Sequence, residues 1–235
     1  MNSNKFNSQD VIFICALMIF ISPFLLSNDV YQAYLKINNN HGFILSFVKF
    51  SLLATTGEAI GLRITSGVYN KAGFGLLPRA IVWGLLGITI KMAFIIFASG
   101  VPVLLTYAGL DNIKAIKQTG FGLHTLIVAF AISVAINVIY APIMMTLHKV
   151  TDMHITNNGG TVKGFFTAIQ FAEILTAIDW QKQWHFVFKK TIPFFWIPAH
   201  TITFLLPADM QVLFAALLGV ALGVILSFAN TTSTK

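Results

Sequence analysis

Two apolar stretches of this chain carry polar side chains at helical spacing, and that spacing decides what chemistry they could do. In the first, Ser133, Asn137, Tyr140 and His148 fall at offsets 0, 4, 7 and 15, with Met144 at offset 11. In the second, Trp196, His200, Thr203 and Pro207 fall at offsets 0, 4, 7 and 11. Residues so spaced share one face of a helix. Polar groups at membrane depth face a bundle interior or a water-filled cavity, so the two stripes either line a path for a solute or bond one helix to another. Two charges add to them. Glu58 sits about one turn from the end of its apolar segment, and Lys91 is near the middle of another. A charge so placed needs a partner or water.

Other chemistry has thin support. His148, Asp152 and His154 form H-x-x-x-D-x-H and could begin a metal site, but no third ligand on a rigid neighbour is evident. No G-x-S-x-G, H-E-x-x-H or glycine-rich phosphate loop occurs. No enzyme activity, metal or cofactor is expected.

The elements that must hold these residues follow from composition. Of 235 residues 56% are hydrophobic and 10% charged, with a mean hydropathy of +0.78. A soluble domain carries about a quarter charged residues. The deficit runs the whole length, so residues 1–235 are expected to form a single integral membrane domain, and the 22 phenylalanines suit a surface in contact with lipid. The net charge of +7 is dispersed and reads as a topology signal, with no nucleic acid implied. Cys15 is the lone cysteine, so no intrachain disulfide can form. The first apolar run lacks a small-x-small cleavage site and reads as a retained span.

A span needs roughly 20 apolar residues. Six candidates result: Val11 to Ser27, Phe43 to Leu62, Ala80 to Tyr107, Gly122 to Leu147, Phe186 to Leu206 and Gln211 to Ala229. The third carries Pro102, which predicts a kink or an end near Gly100. The fifth and sixth are joined by PADM and form a tight antiparallel pair. Six spans put both termini on one side, with Lys5, Arg63, Lys71, Arg79, Lys149, Lys163, Lys182 and Lys235. The other side holds Lys36, Lys114 and Lys117. The positive-inside rule then places both termini in the cytoplasm, or in the matrix of a mitochondrion. Between the fourth and fifth spans, ITNNGG reads as a turn. Residues 161–180 after it, with Phe165, Phe166, Ile169, Ala172 and Leu175 near helical spacing, predict an amphipathic helix on the membrane surface or against a partner.

Small residues predict where helices meet. Ala215, Gly219, Gly223 and Ser227 recur every four residues in the last span, Gly57 and Gly61 repeat the device in the second, and Gly84 and Gly87 open the third. Such faces let backbones approach closely, within one chain or between the chains of a homo-oligomer. Rise per residue places Glu58 roughly 6 Å and Lys91 roughly 16 Å from the basic side. Arg63 and Arg79 are therefore the easier partners for Glu58, with Lys91 at the limit of its reach. Lys91 is either a buried clamp between helices or a charge lining a path.

The run from Trp196 to Gln211 resembles the C-terminal signature of the family named for Mpv-seventeen and the twenty-two-kilodalton peroxisomal membrane protein, which runs approximately W-P-x-x-Q-x-x-N-F, then a proline, then an arginine. Trp196 stands at the tryptophan, His200 at the glutamine, Thr203 at the asparagine and Phe204 at the phenylalanine. Pro207 follows, with Gln211 in place of the arginine. Upstream, Gly57 and Glu58 stand where that family has Gly-Asp, Arg79 precedes a helix in which Gly84 and Gly87 match G-x-x-G, and Lys91 takes a position often held by histidine. Ile88 replaces a proline, Leu62 a glutamine, and the Trp-Tyr pair is absent. The resemblance extends loosely from Gly57 to about Phe228. It implies a small all-helical protein that moves small solutes across a membrane, with no catalytic chemistry.

The expectation is therefore an all-α bundle of about six membrane-embedded helices plus one interfacial helix. Within it Glu58, Arg79, Lys91, Asn137, Tyr140, Trp196, His200 and Thr203 would form a solute path or a polar interior. Gly57, Gly61, Ala215, Gly219 and Gly223 would pack the helices. The alternative is a structural or accessory membrane protein in which the same polar residues only join helices. A bacterial cytoplasmic membrane is the expected setting and an organelle membrane the alternative.

Overall fold

The structure is a computed structural model that describes residues 6–110 and 122–232. Lys5, Lys114, Lys117 and Lys235, counted above, lie outside the described residues, as does the side chain of Ser227. The described chain is all-helical. The helices are α1 (Ser8–Leu26), α2 (Asn28–Asn40), α3 (Gly42–Ser66), α4 (Leu76–Tyr107), α5 (Leu123–Asn157), the short α6 (Val162–Phe165) and α7 (Phe171–Ala177), α8 (residues 180–205) and α9 (Ala208–Thr232). Two of them change winding along their length. Ile136–Tyr140 in α5 and Gln183–Trp196 in α8 are π-helical, each within an otherwise continuous helix.

Five helices among the described residues are long and apolar enough to cross a bilayer: α1, α3, α4, α5 and α9. The chain is a membrane protein. The expected fifth span, Phe186 to Leu206, does not join that set because Lys189, Lys190 and His200 lower the hydropathy of α8. The topology nonetheless requires α8 to traverse the bundle. It begins beside α7, where Trp180 Nε1 donates to Leu175 O, and ends at the start of α9, where Asn38 Nδ2 of α2 donates to Asp209 O. Gln211 Nε2 closes the intervening turn on Leu206 O. Among the described residues α8, of mixed polarity, thus runs between the same two ends of the bundle as the strongly apolar helices.

Helix α3 occupies the middle, between α4 and α9. Gly84 and Gly87 of α4 admit it, since a Cβ on Gly87 would stand 2.7 Å from Ser46 O and from the Phe50 Cβ. Ser51 Oγ completes this contact by donating to Ala80 O at 2.5 Å. On the opposite flank a Cβ on Gly57 would stand 2.8 Å from Val220 Cα, and one on Gly223 would stand 3.3 Å from Gly57 O. Gly57, Gly84, Gly87 and Gly223 of the predicted small-residue faces thus meet another helix of the same chain, whereas Gly219 faces open space and packs on none. Ala215 is buried in the core that Phe50, Ala54, Ile90, Phe94 and Val212 build around it. Gly61 is half-buried and its carbonyl accepts from Thr65 Oγ1. Close backbone approach of this kind holds membrane helices together where no hydrophobic difference separates lipid from side chain.

Helix α1 is apolar all round and packs at the edge. Asn7 caps it by accepting from Gln9 N and Asp10 N, while Asp10 accepts from Asn7 N. Arg63 then pins the same carboxylate from α3, with Nε at 2.8 Å and Nη2 at 2.7 Å from its two oxygens. Tyr69 OH adds a third bond at 2.9 Å, and its ring stacks on Phe13 at 4.4 Å. Burial, then the bond to Asp10, raises the Tyr69 phenol above its ordinary pKa.

Pro102 does not end α4 near Gly100, for the helix continues to Tyr107. The interfacial segment also departs from expectation. Instead of one amphipathic helix over 161–180 the chain forms α6 and α7, because its apolar residues serve two separate cores. Phe165 packs on Val82, Leu86 and Ile155. Ile174 and Ile178 pack on Val150. Phe166 and Ile169 between them stay exposed. Of ITNNGG the first three residues still belong to α5 and the turn is confined to residues 158–160, where Gly159 and Gly160 take φ of 70° and 66° and Gly160 lies against the backbone of Gly73 and Gly75.

Candidate functional site

The basic face of the bundle carries a partly buried ion network. Arg79, in the first turn of α4, places Nη1 2.7 Å from Glu58 Oε2 of α3 and also against Asp152 Oδ1 of α5. Its Nε donates to Phe74 O at 2.7 Å, and the guanidinium lies over the Phe74 ring at 4.6 Å. The second oxygen of Glu58 accepts from Trp83 Nε1 at 2.8 Å and lies 3.2 Å from His148 Nε2. Trp83 and His148 pack with ring centroids 4.3 Å apart. Lys149 approaches Asp152 at 3.7 Å from a side chain that is 44% exposed. The two carboxylate oxygens of Glu58 are thus met from two other helices, by Arg79 and Trp83 of α4 and by His148 of α5, the arrangement a charge needs away from water.

Above this network lies a cavity of about 360 Å³. Glu58, His148 and Lys149 stand at one end, and Phe94, Trp196 and His200 at the other. Helix α4 lines it from Trp83 to Phe94, roughly 16 Å at helical rise. Most of the wall is apolar, supplied by residues such as Phe50, Ile90, Met144 and Leu222. Asn137 and Tyr140 interrupt it on the α5 side.

The deep end is closed by hydrogen bonds between α5 and α8. Ser133 Oγ donates to Ile197 O at 2.7 Å, and Asn137 Nδ2 lies 2.8 Å from Ser133 O and 3.0 Å from His200 Nδ1. Phe94 meets the His200 ring edge-on at 5.8 Å and the Phe204 ring at 4.9 Å. Trp196 lies over His200, with centroids 5.1 Å apart. Tyr140 OH reaches Thr89 Oγ1 of α4 at 2.7 Å. The π-helical turn Ile136–Tyr140 begins beside Asn137, and winding of this kind is frequent at functional sites.

The structure therefore brings together most of the residues that spacing singled out. Asn137, Tyr140, Met144 and His148 line one cavity, facing Trp196 and His200 from the second stripe. Glu58 joins them and takes Arg79, the first of the two arginines expected near it. The other, Arg63, is committed to Asp10. Two residues stand apart. Thr203 is fully buried and donates to Ala199 O of its own helix without lining the cavity. Lys91 does not reach Glu58 and does not line the cavity; its Cε lies 3.6 Å from the position a Cβ on Gly42 would take, at the far end of α3. A lysine stem follows the nearest route to a polar surface, and for Lys91 that route leads away from the basic face. The histidine and aspartate of H-x-x-x-D-x-H have separate partners, with His148 on Glu58, Asp152 on Arg79 and His154 on Phe165 O.

Three participants escaped the sequence reading. Trp83 supplies a donor to Glu58 one turn beyond Arg79, a spacing visible in RAIVW. Asp10 pins α1, and as one of eight acids in the chain it was a marked residue at the start of a span. At the opposite face Lys49 Nζ donates to Asn38 Oδ1 at 2.7 Å and lies 5.0 Å from the Tyr34 ring centroid. Nothing local in the sequence signals that pair.

Fold and site together define a polytopic helical membrane protein with an internal, mainly apolar cavity mouthed by a partly buried ion network. No family model matches the chain, and neither a curated protein nor a solved structure matches it.

Proposed function

We propose that the protein is a small membrane carrier or channel whose solute site is the cavity between α3, α4, α5, α8 and α9. The observation that carries this reading is the convergence of both polar stripes on one cavity, with Asn137, Tyr140, Trp196 and His200 all on its wall. Residues that only joined helices would leave no such volume between them. The one-sided closure by Phe94, His200 and Phe204 favours alternating access over a continuous pore. The reading keeps the chain as a divergent relative of the Mpv-seventeen and peroxisomal membrane protein family, non-enzymatic in function. Arg63, Lys71, Arg79, Lys149, Lys163 and Lys182 gather on the face that holds the ion network, which supports a cytoplasmic face there, with both termini on that side of a bacterial inner membrane or, alternatively, of an organelle.

A second reading has its own observation. The bonds from Ser133 to Ile197 and from Asn137 to His200 tie α5 to α8, as a structural membrane protein would require. Flux through liposomes separates the two. Release of a mixture of small labelled solutes is measured for the wild type, His200→Ala and Lys91→Met. Flux altered by His200→Ala and unaffected by Lys91→Met, which lies outside the cavity, is the expected result. A wild type silent toward every solute, with His200→Ala lowering only thermal stability, would favour the structural reading.

A further inference from the structure

Helix α8 turns its lysines outward. Between Trp180 and Leu206 the chain has three of them, Lys182, Lys189 and Lys190, and no aspartate or glutamate. All three are exposed, and among the described residues none has a carboxylate within ion-pair distance. The acid next to this segment, Asp179, is engaged at the helix start, where its Oδ1 accepts from Lys182 N at 2.9 Å. The ion network at the cavity mouth is balanced within itself, whereas the outer side of α8 carries positive charge with nothing opposite it.

Contacts fix the level of these charges in the bundle. Helix α8 begins on the basic face, because Trp180 Nε1 donates to Leu175 O of α7, and α7 packs through Ile174 on Val150 of α5, two residues from His148 of the network. The backbone of Lys189 stands at most about 13 Å further along at helical rise. Its ammonium turns back. Lys189 Nζ lies 5.7 Å from the centroid of the Trp184 ring, five residues nearer the helix start. A lysine stem bends in this way when its charge is drawn to the headgroup layer. Trp184 is 53% exposed, as an indole is at the boundary of lipid and water, and Phe194, four residues past Lys190, is 81% exposed.

We infer that the outer face of α8 binds an anionic phospholipid, its phosphate against Lys189 and Lys190, Trp184 at headgroup level and an acyl chain along Phe194. Charge complementarity selects this occupant. A headgroup with net negative charge balances lysines that have no carboxylate of their own, whereas a zwitterionic headgroup brings an ammonium that meets no acid on this helix. The exposed rings select lipid over a soluble acidic partner, since Trp184 and Phe194 flank the two lysines and suit the bilayer boundary and its hydrocarbon. The inference is independent of the cavity and stands whether or not the cavity carries a solute.

Native mass spectrometry of the full chain in detergent, titrated with dioleoyl-phosphatidylglycerol or dioleoyl-phosphatidylcholine, tests this and reads the oligomeric state in the same spectra. The first phosphatidylglycerol is expected to bind at least about fivefold more tightly than the first phosphatidylcholine, the factor that one lysine near an anionic surface supplies. Lys189→Met with Lys190→Met erases that preference, whereas Lys189→Arg with Lys190→Arg keeps it. Lys71→Met with Lys163→Met removes as much charge from the basic face at exposed positions off α8, and is expected to leave the preference as in the wild type. Equal binding of the two lipids by the wild type overturns the assignment. A preference that the Lys71 and Lys163 substitutions abolish as fully as those at Lys189 and Lys190 also overturns it, since general surface charge then accounts for the binding. A wild type without preference whose Lys189→Met, Lys190→Met variant changes oligomeric state gives the face to a second copy of the chain instead.

Discussion

Arg79 Nη1 lies 2.7 Å from Glu58 Oε2, and this pair joins the first turn of α4 to the last third of α3 at the point where His148 and Asp152 arrive from α5. The asymmetry of the network predicts an asymmetric response. Arg79→Met leaves two carboxylates without their shared cation and is expected to cost up to about 3 kcal/mol of stability, the lower end of the range for breaking a buried pair, because the network is only partly buried. Glu58→Gln leaves Arg79 on Asp152 and keeps an acceptor for Trp83, so its cost is smaller. Chemical unfolding in detergent, comparing the two variants, checks the order.

Gly57 meets the backbone of α9, and backbone does not rotate away. Gly57→Ala is expected to destabilise by about 1–3 kcal/mol through overpacking against Val220. Gly219→Ala, four residues back from Gly223 on the partner helix but facing open space, is expected to change stability by less than about 0.5 kcal/mol. Thermal denaturation of the two single variants provides the comparison.

Helix α1 depends on one carboxylate. Asp10→Asn removes the charge that Arg63 and Tyr69 both address, and the first turns of α1 are expected to detach while the α3–α4–α9 core stays folded. Hydrogen exchange reads this as faster exchange in residues 8–14 with unchanged protection in α5.

Tyr34 carries a pH signature. Burial, with the charge of Asp209 second, pushes its phenol up to about 12 from an ordinary value of 10.0. A raised acid pKa means the unfolded chain gives up the proton first. The contribution of Tyr34 to stability is therefore whole below pH about 10 and falls as pH rises toward about 12. Wild type and Tyr34→Phe should show parallel stability up to pH about 10 and diverge above it, with the wild type falling faster. Absorbance titration of the phenolates should show a late phase that is smaller by one phenol in Tyr34→Phe.

Ser133 donates across from α5 to α8, so Ser133→Ala is expected to cost about 0.6 kcal/mol, the average for an interhelical bond in a membrane protein. Thr203→Val removes only a bond inside one helix and should cost less. Unfolding of both variants in the same detergent measures the difference.

What could be read locally was read well. Apolar length gave the spans, because a bilayer demands some 20 apolar residues per helix whatever the partners are. Helical spacing grouped Asn137 and Tyr140 on one stripe and Trp196 and His200 on the other, because a face is a property of a single helix. That Glu58 pairs with an arginine at its own level was legible too, since a short loop joins α3 to α4, while the choice of Arg79 over Arg63 came from the fold.

The sequence by itself determined that this is an all-helical membrane protein, which residues share a face, and which small residues permit close approach. Only the tertiary structure decided that Asn137 faces His200, that Lys91 turns from Glu58 toward Gly42, that Arg63 belongs to Asp10, and that the 161–180 segment breaks into two helices. Each of these depends on the rotation and depth of one helix relative to another. Those are set by packing summed over many contacts between segments far apart in sequence, such as Gly57 on Val220, whereas periodicity fixes only what happens within a segment.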